Sequence, residues 1–197
     1  YLVEFNFGYN GSERLAAGQR FEFFPAVSAG WVASSEKFWE PISKYINHFK
    51  IRGSYGLVGS DAFASGAPHF LYQNNIGIGS AHKFWTGLPT SEISKQGPGF
   101  YVLAVQDAGW EHVKKFDIGF DMMLFNQLNI TFDYFHDKRE RILMSRASWP
   151  SMLGYWGSKP WSNIGEVENQ GFELSLNWTK QFGKDLTLDL RGNFTYN

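Results

Sequence analysis

The chain has 197 residues, a net charge of -1 and no cysteine. That length suits one domain, the near-neutral charge gives no bulk attraction to nucleic acid, and the lack of thiols excludes disulfide scaffolds and thiolate metal sites. No apolar run approaches the roughly 18 residues of a membrane-crossing helix, and no signal peptide opens the sequence, yet a barrel escapes that exclusion because barrel strands are only mildly hydrophobic on average.

Alternation of apolar and polar residues, the period of a strand with two unlike faces, predicts seven strands. The first, Tyr1 to Asn10, sets Tyr1, Val3, Phe5, Phe7 and Tyr9 against Glu4, Asn6, Gly8 and Asn10. A polar loop leads to a less regular second strand, Phe21 to Val32. Between it and the third strand, Phe49 to Val58, the stretch Ser34 to Asn47 has helix-compatible spacing, and EKFWEPISKYI within it reads as a short helix. Gly59 to Gly109, rich in Gly, Ser, Pro and aromatics with no sustained period, reads as one elaborate loop. The fourth and fifth strands, around Phe116 to Leu124 and Leu128 to Tyr134, form a hairpin, as do the sixth, Phe172 to Trp178, and the seventh, Leu186 to Asn197. For even positions of both partners to share a face, the turns near Asn126 and Gly183 must contain an odd number of residues. The chain begins and ends inside strand patterns, as a piece of a longer protein does.

Three features favour lipid over a protein core as the surface met by the apolar face. Strands of about 10 residues, tilted near 45°, span an apolar band of roughly 25 Å. Tyr1, Tyr9, Trp31, Trp110, Trp178 and Tyr196 recur near strand ends, as in an interfacial girdle. The opposite face carries Lys50, Arg52, Asp117, Asp121, Asp133, Glu173, Asp189 and Arg191, which an aqueous lumen tolerates. Long connections also alternate with short ones, as they do between the two sides of an outer membrane. The expected fold is therefore an all-β antiparallel transmembrane barrel, with Ile130, Phe132, Leu174 and Leu188 facing lipid.

The segments FEFFPAVSAGWVASSEKFWEP, FKIRGSYGLVGSD, WEHVKKFDIGFDMMLF, DYFHDKRERIL and NIGEVENQGFELSLNW, in that order, resemble the barrel region of SusC/RagA-type TonB-dependent transporters. The resemblance implies a barrel of about 22 strands with an internal plug. It also implies a SusD-like surface lipoprotein as lid, energy from a TonB-ExbB-ExbD complex, and an oligosaccharide or peptide as the solute imported across the outer membrane of a Gram-negative bacterium. Residues 1–197 then form part of the barrel wall, with the plug and the TonB box outside this sequence. Seven strands cannot close such a barrel, because the end strands would leave backbone groups unpaired in lipid.

Few residues suggest chemistry. Asp117, Asp121 and Asp133 share a face, and a register setting Asp121 opposite Asp133 would offer a cation site or an acid/base pair. The ordinary reading is a hydrated wall whose charges are balanced by Lys or Arg on neighbouring strands. Trp85, Trp149, Trp156, Trp161 and Tyr155, with Phe84 and Phe100, are candidates for gripping a sugar ring or a peptide, or for packing long loops together. The five histidines lack metal-ligand spacing, and the run His136 to Arg141 reads as a solvated strand extension. No nucleophile motif is present, so neither an enzyme nor a cofactor is expected. A passive porin, an outer-membrane enzyme and a soluble carbohydrate-binding sandwich are the competing readings.

Overall fold

The alternating segments form antiparallel ladders in the structure, a computed structural model describing residues 1–63, 65–86, 93–146, 148, 150, 152 and 159–197. In chain order the strands are β1 Leu2–Gly11, β2 Phe21–Val32, β3 Ile46–Ser60, β4 Asn75–Thr86, β5 Ile93–Val102, β6 Glu111–Leu124, β7 Leu128–Ser145, β8 Trp161–Phe182 and β9 Leu186–Tyr196. Seven of them make one sheet in the order β1-β2-β3-β6-β7-β8-β9. Strands β4 and β5 form a separate hairpin within the connection from β3 to β6, so Gly59 to Gly109 is not the structureless loop its composition suggests. Glycines inside both strands and a register break between Ile78 and Lys83 explain why no sustained period marks them.

Both hairpin turns have the expected odd length. Leu124 pairs with Leu128 and Phe182 with Leu186, leaving three residues in each turn. The first turn centres on Asn126, with φ of 53° at both Phe125 and Asn126, and the second places Gly183 at φ 69°. Asn and Gly tolerate that left-handed region. Even-numbered positions of β6 to β9 consequently share one face, in rows such as Phe120, Phe132, Leu174 and Phe194. Ring centroids 5.9 Å apart for Phe49 and Phe120, 5.5 Å for Phe120 and Phe132, and 5.8 Å for Phe172 and Phe194 make this face a continuous aromatic surface.

Four strands run well past the expected length: β3 has 15 residues, β6 has 14, β7 has 18 and β8 has 22. β7 continues to Ser145 and β8 starts at Trp161, so both reach far beyond the stretches in which alternation is visible. At the His136 and Gln170 row the face shared by the even-numbered positions changes from apolar to charged. Beyond it His136 meets Glu168 at 2.5 Å, Lys138 meets Glu166 at 2.5 Å, and Lys114 and Lys138 approach Glu140 at 2.6 and 3.0 Å. Hydrogen bonds from Lys114 and then Lys138 hold the Glu140 carboxyl below its ordinary range. Exposed pairs of this kind add little stability; they mark where the surface is wet.

The connection from β2 to β3 is not an α-helix. Residues Ala33–Ser35 and Lys37–Trp39 form 3-10 turns, and 40–45 form further turns around Pro41, which has no N–H to propagate a helix. The buried core is small and gathers at the long-loop end. There Leu15, Phe24 and Trp110 pack with Leu57 and Phe63, and Leu71, Val105, Ala108 and Leu143 pack with Phe63, Ala67 and Trp161. Trp110, 5% exposed and donating its Nε1–H to the Arg20 carbonyl at 3.1 Å, belongs to this core and not to an interfacial girdle.

The wedge that Phe24 fills opens because β2–β3 pairing goes no further toward the loops than Ala26 and Gly56, next to Pro25. Its ring lies over Gly59, where a Cβ would strike it. Gly59→Ala should therefore destabilise the folded protein by about 1–3 kcal/mol. Gly18→Ala, where no atom lies within 4 Å of the added carbon, should be near neutral by the same denaturant titration.

Candidate functional site

On the polar face of β3, β6 and β7 the guanidinium of Arg52 lies among three carboxylates, and the ladder register explains how. Arg52 pairs with Gly119 on β6, and Gly119 pairs in turn with Asp133 on β7. Glycine has no side chain, so the guanidinium crosses the middle strand: a Cβ at Gly119 would collide with the Asp133 carboxylate. Arg52 Nη2 donates to Asp133 Oδ2 at 2.7 Å. Two residues to either side of Gly119, Asp121 lies 3.3 Å from Nε and Asp117 lies 3.6 Å from Nη1. Thr131, opposite Asp121, donates its hydroxyl to that carboxylate at 3.1 Å.

This register corrects one expectation. Asp121 faces Thr131 and not Asp133, because the turn centres on Asn126. The carboxylates meet through Arg52, not directly, and among the described residues no group of three His, Cys, Asp or Glu side chains is arranged to hold a metal. A guanidinium has five donors in a fixed plane and stays charged, so it can serve several carboxylates at once. Beside this cluster runs a groove of about 480 Å³ whose lining includes Glu4, Ser28, Lys50, Arg52, Ser54 and Asp117.

The other predicted polar-face residues stand apart. Lys50 pairs in the ladder with Asp121, and its Cε lies near Gly30. Asp189 and Arg191 are on β9, opposite Thr179 and Asn177, and Asp189 accepts a hydrogen bond from the Thr179 hydroxyl. On the other face, Ile130 pairs with Leu176 and Phe132 with Leu174, whereas Leu188, opposite Lys180, is close to the β8–β9 turn.

Of the aromatic candidates, Trp161 packs against the buried Leu71, Val105, Ala108 and Leu143 cluster. Trp149, Tyr155 and Trp156 lie outside the described residues, as do the side chains of Trp85, Phe84 and Phe100.

A second polar constellation has no counterpart among the sequence expectations. Asn163 on β8 accepts a hydrogen bond from the Gly109 N–H at 3.0 Å and donates its amide to the carbonyls of Gly109 at 3.0 Å and Arg141 at 2.6 Å. Arg141 has φ 59° at a register shift of β7, and its guanidinium comes within 4.0 Å of Glu22, which also meets His112 at 2.8 Å. The buried Glu111 carboxylate accepts the Leu143 N–H at 3.2 Å. These contacts fasten the end of the β3–β6 connection to the β7–β8 hairpin. An asparagine within alternating strand sequence gives no local sign of such a role.

Comparison with known proteins places this geometry. Residues 4–197 match the family model for the TonB dependent receptor-like β-barrel. The chain is 29% identical over its whole length to TonB-dependent receptor P3 of Formosa agariphila, of which it covers 18%. It is 26% identical over its whole length to TonB-dependent receptor SusC of Bacteroides thetaiotaomicron, of which it covers 19%. Among solved structures, the RagAB peptide importer in its open-open state aligns over 98% of this chain and 19% of that one, with a TM-score of 0.78 at 20% identity. The chain thus spans about a fifth of the length of these relatives.

Removing the shared cation tests the cluster. Arg52→Gln should destabilise the folded protein by about 1–3 kcal/mol, less than for a fully buried pair because the site is partly solvated. Asp133→Asn in the same background should cost less than it does alone, a coupling that a double-mutant cycle in denaturant reads.

Proposed function

Because the chain belongs to the TonB-dependent receptor-like β-barrel family, we propose that it forms part of the barrel wall of an outer-membrane active importer for a large nutrient, an oligosaccharide or a peptide. The observation that carries this reading is the sheet itself. One face is a continuous aromatic and aliphatic surface that gives way to charge at the His136 row, and the opposite face holds the Arg52 cluster. A surface with an apolar band below charged strand extensions fits a strand leaving lipid for water.

In this arrangement Ile130, Phe132, Leu174 and Leu188 meet lipid, and Lys50, Arg52, Asp117, Asp121, Asp133, Asp189 and Arg191 line a hydrated lumen. The remaining wall pairs with the outer edges of β1 and β9, so that no backbone group is left unpaired in hydrocarbon. The connections β1–β2, β3–β6 and β7–β8 lie on the cell surface beneath a SusD-like lipoprotein. Parts of the protein outside this chain supply the plug and the contact with TonB-ExbB-ExbD. The loop aromatics Trp85, Trp149, Tyr155 and Trp156 remain candidates for solute or lid contact, whereas the packing of Trp161 favours a structural role. The mechanism asks for no covalent chemistry from these residues: a solute is captured under a lid and passes the wall when the plug is rearranged from the periplasm.

Two measurements test this reading. Arg at Phe132 or Leu174, in the middle rows, should cost about 2–4 kcal/mol of folding free energy in liposomes, Arg at Leu188 less because it lies near the rim, and Arg at Thr131 or Asn193 least. Equal costs on both faces would contradict the orientation. Uptake by whole cells should cease when the proton-motive force is dissipated while surface binding of solute persists; unchanged uptake would favour a passive porin instead.

A further inference from the structure

The connection between β2 and β3 folds onto the wrong surface for a free periplasmic loop. Trp39 stacks on Phe49 with ring centroids 5.2 Å apart and planes 7° from parallel, and Phe38 lies 6.2 Å from Trp31. Phe49 belongs to the outer aromatic surface, 5.9 Å from Phe120, and Trp31 is itself stacked on Tyr1 at 6.3 Å. Both indole N–H groups are satisfied locally, Trp39 to the Ile46 carbonyl at 3.0 Å and Trp31 to Glu36 at 3.3 Å. The strap is tied to the neighbouring turn as well: the Phe125 N–H donates to the Tyr45 carbonyl at 2.9 Å, and the rings of Tyr45 and Phe125 meet edge to face.

Apart from the buried Ala33 and the half-buried Trp39, the strap leaves its apolar side chains in the open. Phe38 is 59% exposed, Ile42 42%, Tyr45 60%, and the adjoining Phe125 57%. Lys37, Glu40 and Lys44 are exposed around them, so the strap presents charge of both signs beside its apolar side chains. A connector that served only to link two strands in water would have no reason to display such a patch. Apolar and amphipathic rings flanked by charged residues, continuous with a face that meets hydrocarbon, match the level where acyl chains give way to headgroups.

We infer that residues 33–45 form an interfacial strap, seated on the outer face of the barrel at its short-turn rim, whose Phe38, Ile42 and Tyr45 enter the headgroup boundary of the adjacent phospholipid leaflet. This rests on the orientation proposed above. The strap thereby widens the apolar belt at that rim without lengthening any strand, and it sets the height at which the barrel rides in the membrane.

The test uses the full-length protein, with any cysteine outside this chain replaced, reconstituted in phosphatidylcholine vesicles. An environment-sensitive fluorophore is placed at Phe38→Cys, Ile42→Cys or Tyr45→Cys, with Leu188→Cys as a rim position on the sheet and Ser60→Cys as one at the long-loop end. Lipids spin-labelled near the headgroup should quench emission at the three strap positions as strongly as at Leu188, with a blue shift relative to Ser60. Quenching at Leu188 but not in the strap would overturn the inference and leave the orientation standing. Loss of quenching at both would remove the orientation, and the inference with it. Strap quenching that disappears as protein density in the vesicle rises would assign the patch to a second copy of the protein and overturn the lipid assignment.

Discussion

A peptide group in hydrocarbon has no water to bond, so its N–H and C=O must find partners within the protein, and an antiparallel ladder supplies them strand by strand. Most of this chain follows from that one requirement. Once every backbone group is committed to the ladder, side chains can only alternate between two faces, and the sequence assigns the faces opposite chemistry. Three-residue turns at Asn126 and Gly183 keep the assignment in phase from β6 to β9. A two- or four-residue turn at either place would turn the following strand over and bring its polar residues to the apolar side.

Within that frame the polar face is held by few contacts. Arg52 spans three strands because Gly119 leaves the middle one bare, and the two aspartates flanking that glycine fall into reach through the same period of two. Stabilisation at the long-loop end is of another kind. The Leu71 cluster and the Asn163 hydrogen bonds fasten irregular chain to the extended β7–β8 hairpin, the Leu15 cluster packs it against β2 and β3, and Glu111 of β6 holds the Leu143 N–H of β7.

The strands of the large sheet were legible because alternation is strong wherever one face is apolar, and turn parity followed from it. Strand length was read short for the same reason. Along His136 to Arg141 the outer face turns charged, so the alternation ends while β7 continues to Ser145. Alternation, in other words, reports the surface met by the strand rather than the strand. The β4–β5 hairpin was missed because its residues show no sustained contrast. The balancing of the aspartates by a cation of a neighbouring strand was legible, but its identity as Arg52 depends on a register two units away from the one that sets Asp121 against Asp133. Trp110 shows the limit of position alone: a tryptophan at a strand end suits an interface or a loop core equally well, and only its contacts with Leu15, Phe24 and the Arg20 carbonyl decide. The β2–β3 strap was read as a helix from spacing, but Pro41 and its aromatic contacts make it a series of turns lying on the sheet.

The central claim is that a single period of two separates lipid from water along each strand, and an accessibility scan of β7 tests it most directly. Single cysteines at successive positions from Leu128 to Phe135 of the full-length protein in vesicles would be probed with a membrane-impermeant thiol reagent and with a quencher confined to the acyl region. The account predicts quenching at Leu128, Ile130, Phe132 and Tyr134 and reagent access at Asn129, Thr131, Asp133 and Phe135, alternating without a break. A run of neighbouring positions with the same response, or quenching on the odd-numbered set, would contradict it.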